Sequence, residues 1–252
     1  MRMNNMGTRT DHKEGRGSRV HAIIVAAGAG QRAGQVGGKK QFIEIADQPV
    51  IIHTLNRFQA APVIDAIICV VAKEDIPIFS DLIKRHPLSK IKQIVAGGAC
   101  RQDSVSAGLS LLETTGSLDD LVVVHDGVRP LVSTDLIERV VQAAGQFGGA
   151  VAALPVTDSL KIVSQDLMIQ KSVPRESVWA MQTPQAFRLG LLIEAMKKAA
   201  LDHYVGTDEA SLFERSGHPV FCVEGDHENI KITTASDLKR VETLLGSVTR
   251  RV

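Results

Sequence analysis

Basic residues crowd into a glycine-rich segment that follows the first strongly apolar run of the sequence. The segment reads Ala26-Ala27-Gly28-Ala29-Gly30-Gln31-Arg32-Ala33-Gly34, with Lys39 and Lys40 soon after. Glycines behind a strand let the main chain approach a phosphate closely and turn its amides toward the anion. Arg32, Lys39 and Lys40 add cations suited to a triphosphate, arginine as a two-pronged donor and lysine as a point charge. Two familiar phosphate loops are excluded by spacing. Gly28, Gly30 and Gly34 follow GxGxxxG rather than the dinucleotide GxGxxG, and Gly38-Lys39 lacks the earlier glycine of a Walker loop. On charge alone, a phosphate cradle and a solvated basic loop both fit.

A second candidate is Asp126, at the end of the apolar run Leu121–His125. A carboxylate at the carboxyl end of a parallel strand is placed to hold Mg²⁺ on a phosphate. Its plainer role is to cap the following turn, with Arg129 as an ion-pair partner. His125 reads as a packed strand-end residue rather than a base. Further polar motifs follow other apolar runs: Gly97-Gly98-Ala99-Cys100-Arg101-Gln102-Asp103-Ser104, Pro155-Val156-Thr157-Asp158-Ser159, Gln182-Thr183-Pro184-Gln185, Thr207-Asp208-Glu209-Ala210-Ser211 and Asn229-Ile230-Lys231.

The elements that must position these residues alternate. Strands are expected at 21–27, 66–72, 93–96, 121–125 and 150–154, and several are apolar on both faces. Helices are expected at 50–58, 75–85, 102–113 and 134–146, with Ser133 or Thr134 capping the last. Strand–helix alternation predicts an α/β fold with an open, mostly parallel sheet flanked by helices, Rossmann-like in class. Ligands of such sheets sit beyond the strands' carboxyl ends, which is where these motifs fall. Residues 157–178 break the pattern and predict a projecting β-hairpin arm with strands at 159–163 and 168–173. After it come a strand at 178–181, helices at 189–200 and 208–216, a strand at 219–223 and a last helix at 235–245.

Composition bounds the rest. The chain has 252 residues, 44% of them apolar, and a formal net charge of +1, which fits a soluble globular protein and gives no general footprint for nucleic acid or a membrane surface. Residues 1–19 are polar and read as a disordered extension, with 20–252 as a single domain. The three cysteines are unclustered, so neither a disulfide scaffold nor a zinc site is indicated, and a cytoplasmic location is expected. Cys69 and Cys222 are expected in the core.

Taken together, AAGxGxR, GGxxRxxSV, HDxxRP, TPQ, TDEAS and NIKIT resemble the 2-C-methyl-D-erythritol 4-phosphate cytidylyltransferases over about residues 20–245. The resemblance implies a nucleotide-diphospho-sugar transferase fold and transfer of a cytidylyl group from CTP to methylerythritol phosphate. Pyrophosphate leaves, and Mg²⁺ or another divalent cation is required. It implies that Arg32, Lys40 and Lys231 are catalytic. Ala26, Ala27, Gly28, Gly30, Gly98, Ser104 and Asp126 would hold CTP, with Asp126 at the metal. Arg129, Ser159, Arg175 and Thr183 would hold the methylerythritol phosphate. It also implies a homodimer whose arms cross, so that Arg175 serves the neighbouring subunit. Gln41 favours Lys40 over Lys39 as the catalytic lysine, and Lys39 is expected to be mostly solvated. Ala99 and Cys100 stand where the family pattern has acidic residues. The weighed alternatives are a cytidylyltransferase for another polyol phosphate, such as ribitol 5-phosphate, and a catalytically weak nucleotide-binding regulator.

Overall fold

The computed structural model describes residues 17–28 and 39–249. The first strand, β1 (Val20–Ala26), shows why the sheet is covered on both sides. Its side chains alternate in direction. Ala22, Ile24 and Ala26 enter one core, where they meet α1 (Val50–Ala60) and α4 (Thr134–Phe147). Ile23 enters the other, against α3 (Arg101–Thr115) and α5 (Leu189–Leu201). In β6 (Leu121–Asp126), Leu121 and Val123 likewise join the first core while Val122 and Val124 join the second. Each fully buried aliphatic side chain of this kind contributes about 1.5–3 kcal/mol.

The remaining elements complete a seven-stranded sheet. They include β4 (Ala66–Val71), α2 (Ile76–Lys84), β5 (Ile91–Ala96), β7 (Gly149–Pro155), β10 (Trp179–Arg188), α6 (Glu209–Arg215), β11 (Phe221–Glu224) and α7 (Ala235–Thr249). The strand order is β11-β7-β10-β6-β1-β4-β5. The sheet is parallel except at β10, which runs antiparallel to both β6 and β7. From β1 the chain first builds outward through β4 and β5, then returns to place β6 on the other side of β1. That reversal opens a crevice at the carboxyl ends of β1 and β6.

Local chemistry sets the boundaries. Ser133 caps α4 by accepting from the Leu136 amide at 3.1 Å, and Gly148 ends it at φ +87°, a conformation glycine adopts without strain. A small hairpin, β2 (Glu44–Ile45) and β3 (Gln48–Pro49), shares a third apolar cluster with α7, in which Ile45, Val50, Ile232 and Val241 are buried.

Three expectations need correction. The strand expected at 178–181 runs on to Arg188. Pro184 lacks an amide hydrogen and reads as a strand end, but the pairing passes it through a register irregularity between Met181 and Gln185. Cys222 is exposed, because β11 is a short edge strand in which only Val223 faces inward; Cys69 is buried as expected. Arg19, the last residue of the expected disordered extension, is already fixed: its amide donates to Asp120 at 2.9 Å and its carbonyl accepts from Leu121. The rest of that extension, residues 1–16, lies outside the described residues.

The arm is the hairpin of β8 (Leu160–Val163) and β9 (Ile169–Val173), which among the described residues pair only with each other. It continues the antiparallel β7–β10 pair, where Trp179 lies opposite Pro155 and the Val156 amide donates to Val178. Ile162, Val163, Met168 and Ile169 all face outward from it.

Candidate active site

A cavity of about 500 Å³ opens at the crevice beside β1. Ala26, Ala27, Gly28, Gly98, Ser104 and Asp126 all line it, as do Lys40 and Lys231. Gly30 and Arg32 lie outside the described residues. The Gly97-Gly98 turn packs against α3 too tightly for a side chain. A Cβ on Gly97 would sit 2.4 Å from that of Ala27, and one on Gly98 would sit 2.3 Å from that of Asp103. Ser104 fixes the turn, accepting from the Gly98 amide at 3.2 Å and donating to the Cys100 carbonyl at 3.0 Å. Cys100 caps α3 with its sulfur, which accepts from the Asp103 amide. Across the cavity, buried Gln41, just after Lys40, donates to the Ala26 carbonyl at 2.9 Å and is tied to β1.

The two neighbouring lysines part company. Lys40 Nζ lies in the cavity and donates to the Thr233 carbonyl at 2.9 Å. Lys39, expected to be mostly solvated, instead holds Asp75 at 2.7 Å and Glu74 at 2.9 Å. Its charge is committed to a mostly buried carboxylate, and those hydrogen bonds raise its pKa.

A second cavity of about 270 Å³ adjoins the first and is lined by Arg129, Thr183, Gln185, Thr207 and Asp208. Arg101, Asp126 and Lys231 line both cavities and form the wall between them. Asp126 is nearly buried and shared among three cations: Arg101 Nε at 3.3 Å, Arg129 Nε at 3.2 Å and Lys231 Nζ at 2.9 Å. Burial alone would raise its pKa, but these cations hold the carboxyl well below the usual range. Arg129 also donates to the Asn229 carbonyl at 2.8 Å. Asn229 in turn donates to the Thr183 carbonyl at 2.7 Å, and the Thr183 hydroxyl accepts from the Asp126 amide at 3.1 Å. Lys231 is therefore carried between two anchored residues, Asn229 and Ile232, whose amide donates to Val128. His125 is wholly buried, and burial pushes its pKa down to about 3. Its Nε2 donates to the Arg129 carbonyl at 3.3 Å, so it is a neutral packed residue rather than a base.

Two expected acceptor residues lie apart from this cluster. Ser159 and Arg175 are exposed at the base of the arm, and Arg175 donates to the Thr157 carbonyl of its own chain. Residues the sequence reading left without a role are Arg101, Glu209, Thr207, Gln185 and Asn229. All stand in or beside the quoted motifs, but nothing in a motif's letters says that Glu209 is buried or that Arg101 bridges two acids.

Mg²⁺ is commonly held by one or two carboxylates together with phosphate oxygens and water. Asp126 offers one carboxylate at the junction of the cavities, and the Lys231 side chain on its Oδ2 is 41% exposed, with room to swing away. This donor set fits an ion held mainly by a triphosphate. Among the described residues there is no group of three His, Cys, Asp or Glu side chains that could cage one.

A sequence model of the 2-C-methyl-D-erythritol 4-phosphate cytidylyltransferase family matches residues 20–247. The chain belongs to this family. It is thereby a nucleotidyltransferase, and the mostly parallel sheet flanked by helices is the fold of the family's solved structures. Among curated members, the enzyme of Syntrophus aciditrophicus is 45% identical over 93% of this chain and 99% of its own length. That of Geobacter metallireducens is 40% identical over 90% and 97%. A solved 4-diphosphocytidyl-2C-methyl-D-erythritol synthase from Anaerococcus prevotii superposes with a TM-score of 0.78 at 31% identity, covering 91% of this chain and 96% of that one. The Thermus thermophilus cytidylyltransferase does so with a TM-score of 0.72 at 33% identity, covering 90% and 98%. Nucleotidyltransferases of this family generally depend on a divalent cation.

Proposed function

We propose that the two cavities divide the family's reaction between them. CTP occupies the larger one and 2-C-methyl-D-erythritol 4-phosphate the smaller, and they meet at the wall of Arg101, Asp126 and Lys231. The single observation that carries this reading is that these charged residues line both cavities. In the larger cavity, backbone near Gly98 and Ser104 faces the cytosine and ribose, and Lys40 reaches the triphosphate. Arg32, outside the described residues, joins Lys40 by its place in the motif. In the smaller cavity, Arg129 and Thr183 hold the acceptor. Ser159 and Arg175 reach it from the arm of a second subunit in a homodimer.

A phosphate oxygen of the acceptor attacks the α-phosphorus of CTP. The new P–O bond forms as the bond to the β-phosphate oxygen breaks, and pyrophosphate leaves with that electron pair. The nucleophile is already anionic, so no general base is needed. This agrees with a site in which His125 is buried and neutral and Asp126 is saturated with cations. What the protein supplies is alignment and positive charge, from Lys40 at the triphosphate and Lys231 at the junction. Mg²⁺, bound by the triphosphate and Asp126, would supply further charge neutralisation on the phosphates. No helix among the described residues is long and apolar enough to cross a membrane. Free CTP and acceptor as substrates fit a cytoplasmic enzyme that binds neither nucleic acid nor membrane.

The test is pyrophosphate release from CTP or UTP, with methylerythritol phosphate and ribitol 5-phosphate as rival acceptors. We expect turnover with CTP and methylerythritol phosphate. Leaving the acceptor for the cytosine amino group unpaired under UTP costs about 1–3 kcal/mol, a five- to 150-fold loss in kcat/KM. Better turnover of ribitol 5-phosphate would make the chain a sister cytidylyltransferase. CTP binding without turnover of any acceptor would make it a nucleotide-binding regulator.

A further inference from the structure

Glu209 is the first residue of α6, capped by Asp208, whose carboxylate accepts from the Ser211 amide at 3.0 Å. An acid at that position is ordinarily solvated, where it gains from the helix dipole at no desolvation cost. Here it is 1% exposed. Its Oε1 receives Arg101 Nη1 at 2.6 Å, while its Oε2 has no hydrogen-bond partner among the described residues. A buried, half-satisfied carboxylate is a poor stabilising device. Such exceptions to good packing tend to gather at functional sites.

What Glu209 touches gives the reason. Arg101 lies between two carboxylates, with Nη1 on Glu209 and Nε on Asp126. Without Glu209, Arg101 would keep Asp126 alone of its two ion-pair partners among the described residues, and would share it with Arg129 and Lys231. Their mutual repulsion would leave the Arg101 guanidinium without a second anchor. With Glu209, the guanidinium is held at two of its nitrogens, Nε by Asp126 and Nη1 by Glu209, and Nη2 makes no hydrogen bond among the described residues. Glu209 also belongs to the acceptor side of the site, since Thr207 and Asp208 just before it line the smaller cavity. Gln185 staples this corner in place, donating to Asp208 at 2.9 Å and accepting from the Ala210 amide at 3.2 Å.

We infer that Glu209 is a positioning residue for the transfer. It acts through Arg101, holding that guanidinium against Asp126 at the wall where nucleotide and acceptor meet. This rests on the two-cavity reading above. Glu209 touches neither substrate; Arg101 presents its charge to the phosphates, and Glu209 sets where that charge stands.

The test compares Glu209→Gln, Arg101→Met and the double variant in the full-length protein. Calorimetric CTP binding and the melting temperature are measured beside steady-state kinetics. Glu209→Gln keeps the size and an acceptor oxygen but removes the charge. We expect kcat to fall about tenfold or more with CTP affinity within about threefold of the parent, because the lost interaction matters in the transition state. In the Arg101→Met background, Glu209→Gln should change kcat by less than about twofold, the non-additivity of residues acting through one contact. Glu209→Asp, which keeps the charge, should recover part of the loss. Parent-like kcat in Glu209→Gln would overturn the proposal. So would a full multiplicative loss in the double variant, or a rate loss explained by a lowered melting temperature. If Glu209→Gln fails to fold, Glu209→Asp carries the same cycle. The parent's own turnover is the separate control: its failure would refute the reaction assigned to the site, not the link from Glu209 to Arg101.

Discussion

Ser104 and Arg175 are both proposed to contact substrate, yet folding of one chain brings them to opposite conditions. Ser104 is 2% exposed, hooked to the Gly98 amide and facing a formed cavity. Arg175 lies exposed on an arm whose strands, among the described residues, pair only with each other. The larger cavity, proposed for the nucleotide, is walled by parallel strands with apolar cores on both faces, so its residues are fixed by the same burial that folds the domain. The arm presents Ile162, Val163, Met168 and Ile169 to solvent, and a lone hairpin is marginal in water. A site that draws on both regions has one half organised by folding and one half that needs another surface to define it.

The largest expected effect lies on the organised side, at the two lysines. Lys40→Ala should lower kcat by about 10²–10³-fold, the scale of a lost charge-stabilising contact, with little change in melting temperature. Lys39→Met should do the reverse. Its pair with Asp75 is mostly buried on the carboxylate side, so the variant should lose about 1–2 kcal/mol of stability, discounted because Lys39 is itself partly exposed. Activity per folded molecule should hold. Denaturation curves and initial rates on both variants decide it. A stable but inactive Lys39→Met would move the catalytic role back by one residue.

The next effect tests whether the arm completes its site from a second subunit. Arg175→Ala and Lys231→Ala should each be nearly inactive as homodimers. If Arg175 reaches across while Lys231 acts at home, a mixed dimer carries both lesions in one site and none in the other. Co-refolding equal amounts should then restore roughly a quarter of parental activity, because about half the dimers are mixed and each has one working site of two. With mixed dimers confirmed by mass, the absence of recovery would confine Arg175 to its own chain. A parent that is monomeric at assay concentration would remove the arm from the reaction altogether.

The same contrast governs how much the sequence reveals. The strands and helices of the nucleotide side are legible within a few residues, because burial on both faces leaves unbroken apolar runs such as Val122-Val123-Val124. Asp126 is found by its position at the end of such a run, and Ala26 and Gly98 by the motifs that resemble the family. β10 is only half legible: its pairing crosses Pro184 and a register irregularity, features that ordinarily mark a strand's end. Cys222 misleads because an apolar run on an edge strand looks like one at the centre. Lys39, Arg101 and Glu209 escape because a charged residue's burial depends on a partner far along the chain, 36 residues away for Lys39 and 108 for Arg101.

The smallest effect concerns pH and separates the regions by where titration is hidden. His125 is wholly buried on β6, next to Phe58, and its folded pKa lies near 3 against an ordinary value near 6.5. Asp126 favours its protonation while Arg129 and Arg101 oppose it, and burial outweighs them all. Between those two values the unfolded chain binds the extra proton, so His125's contribution to stability is complete above about pH 6.5 and is lost as the pH falls toward 3. At pH 5 the loss is about 2 kcal/mol, an order-of-magnitude figure. Asp126 acts in the same direction, but only below the ordinary carboxylate value near 3.9, while buried Glu209, whose pKa burial raises, acts in the opposite direction, so a His125 variant is needed to isolate the imidazole. Urea denaturation at pH 7.5 and pH 5 should show a drop in the parent that His125→Phe reduces by about 2 kcal/mol, whatever its stability at pH 7.5. An equal drop in the parent and His125→Phe would mean that the imidazole is not held neutral in the folded protein, and that the sheet's pH sensitivity arises elsewhere.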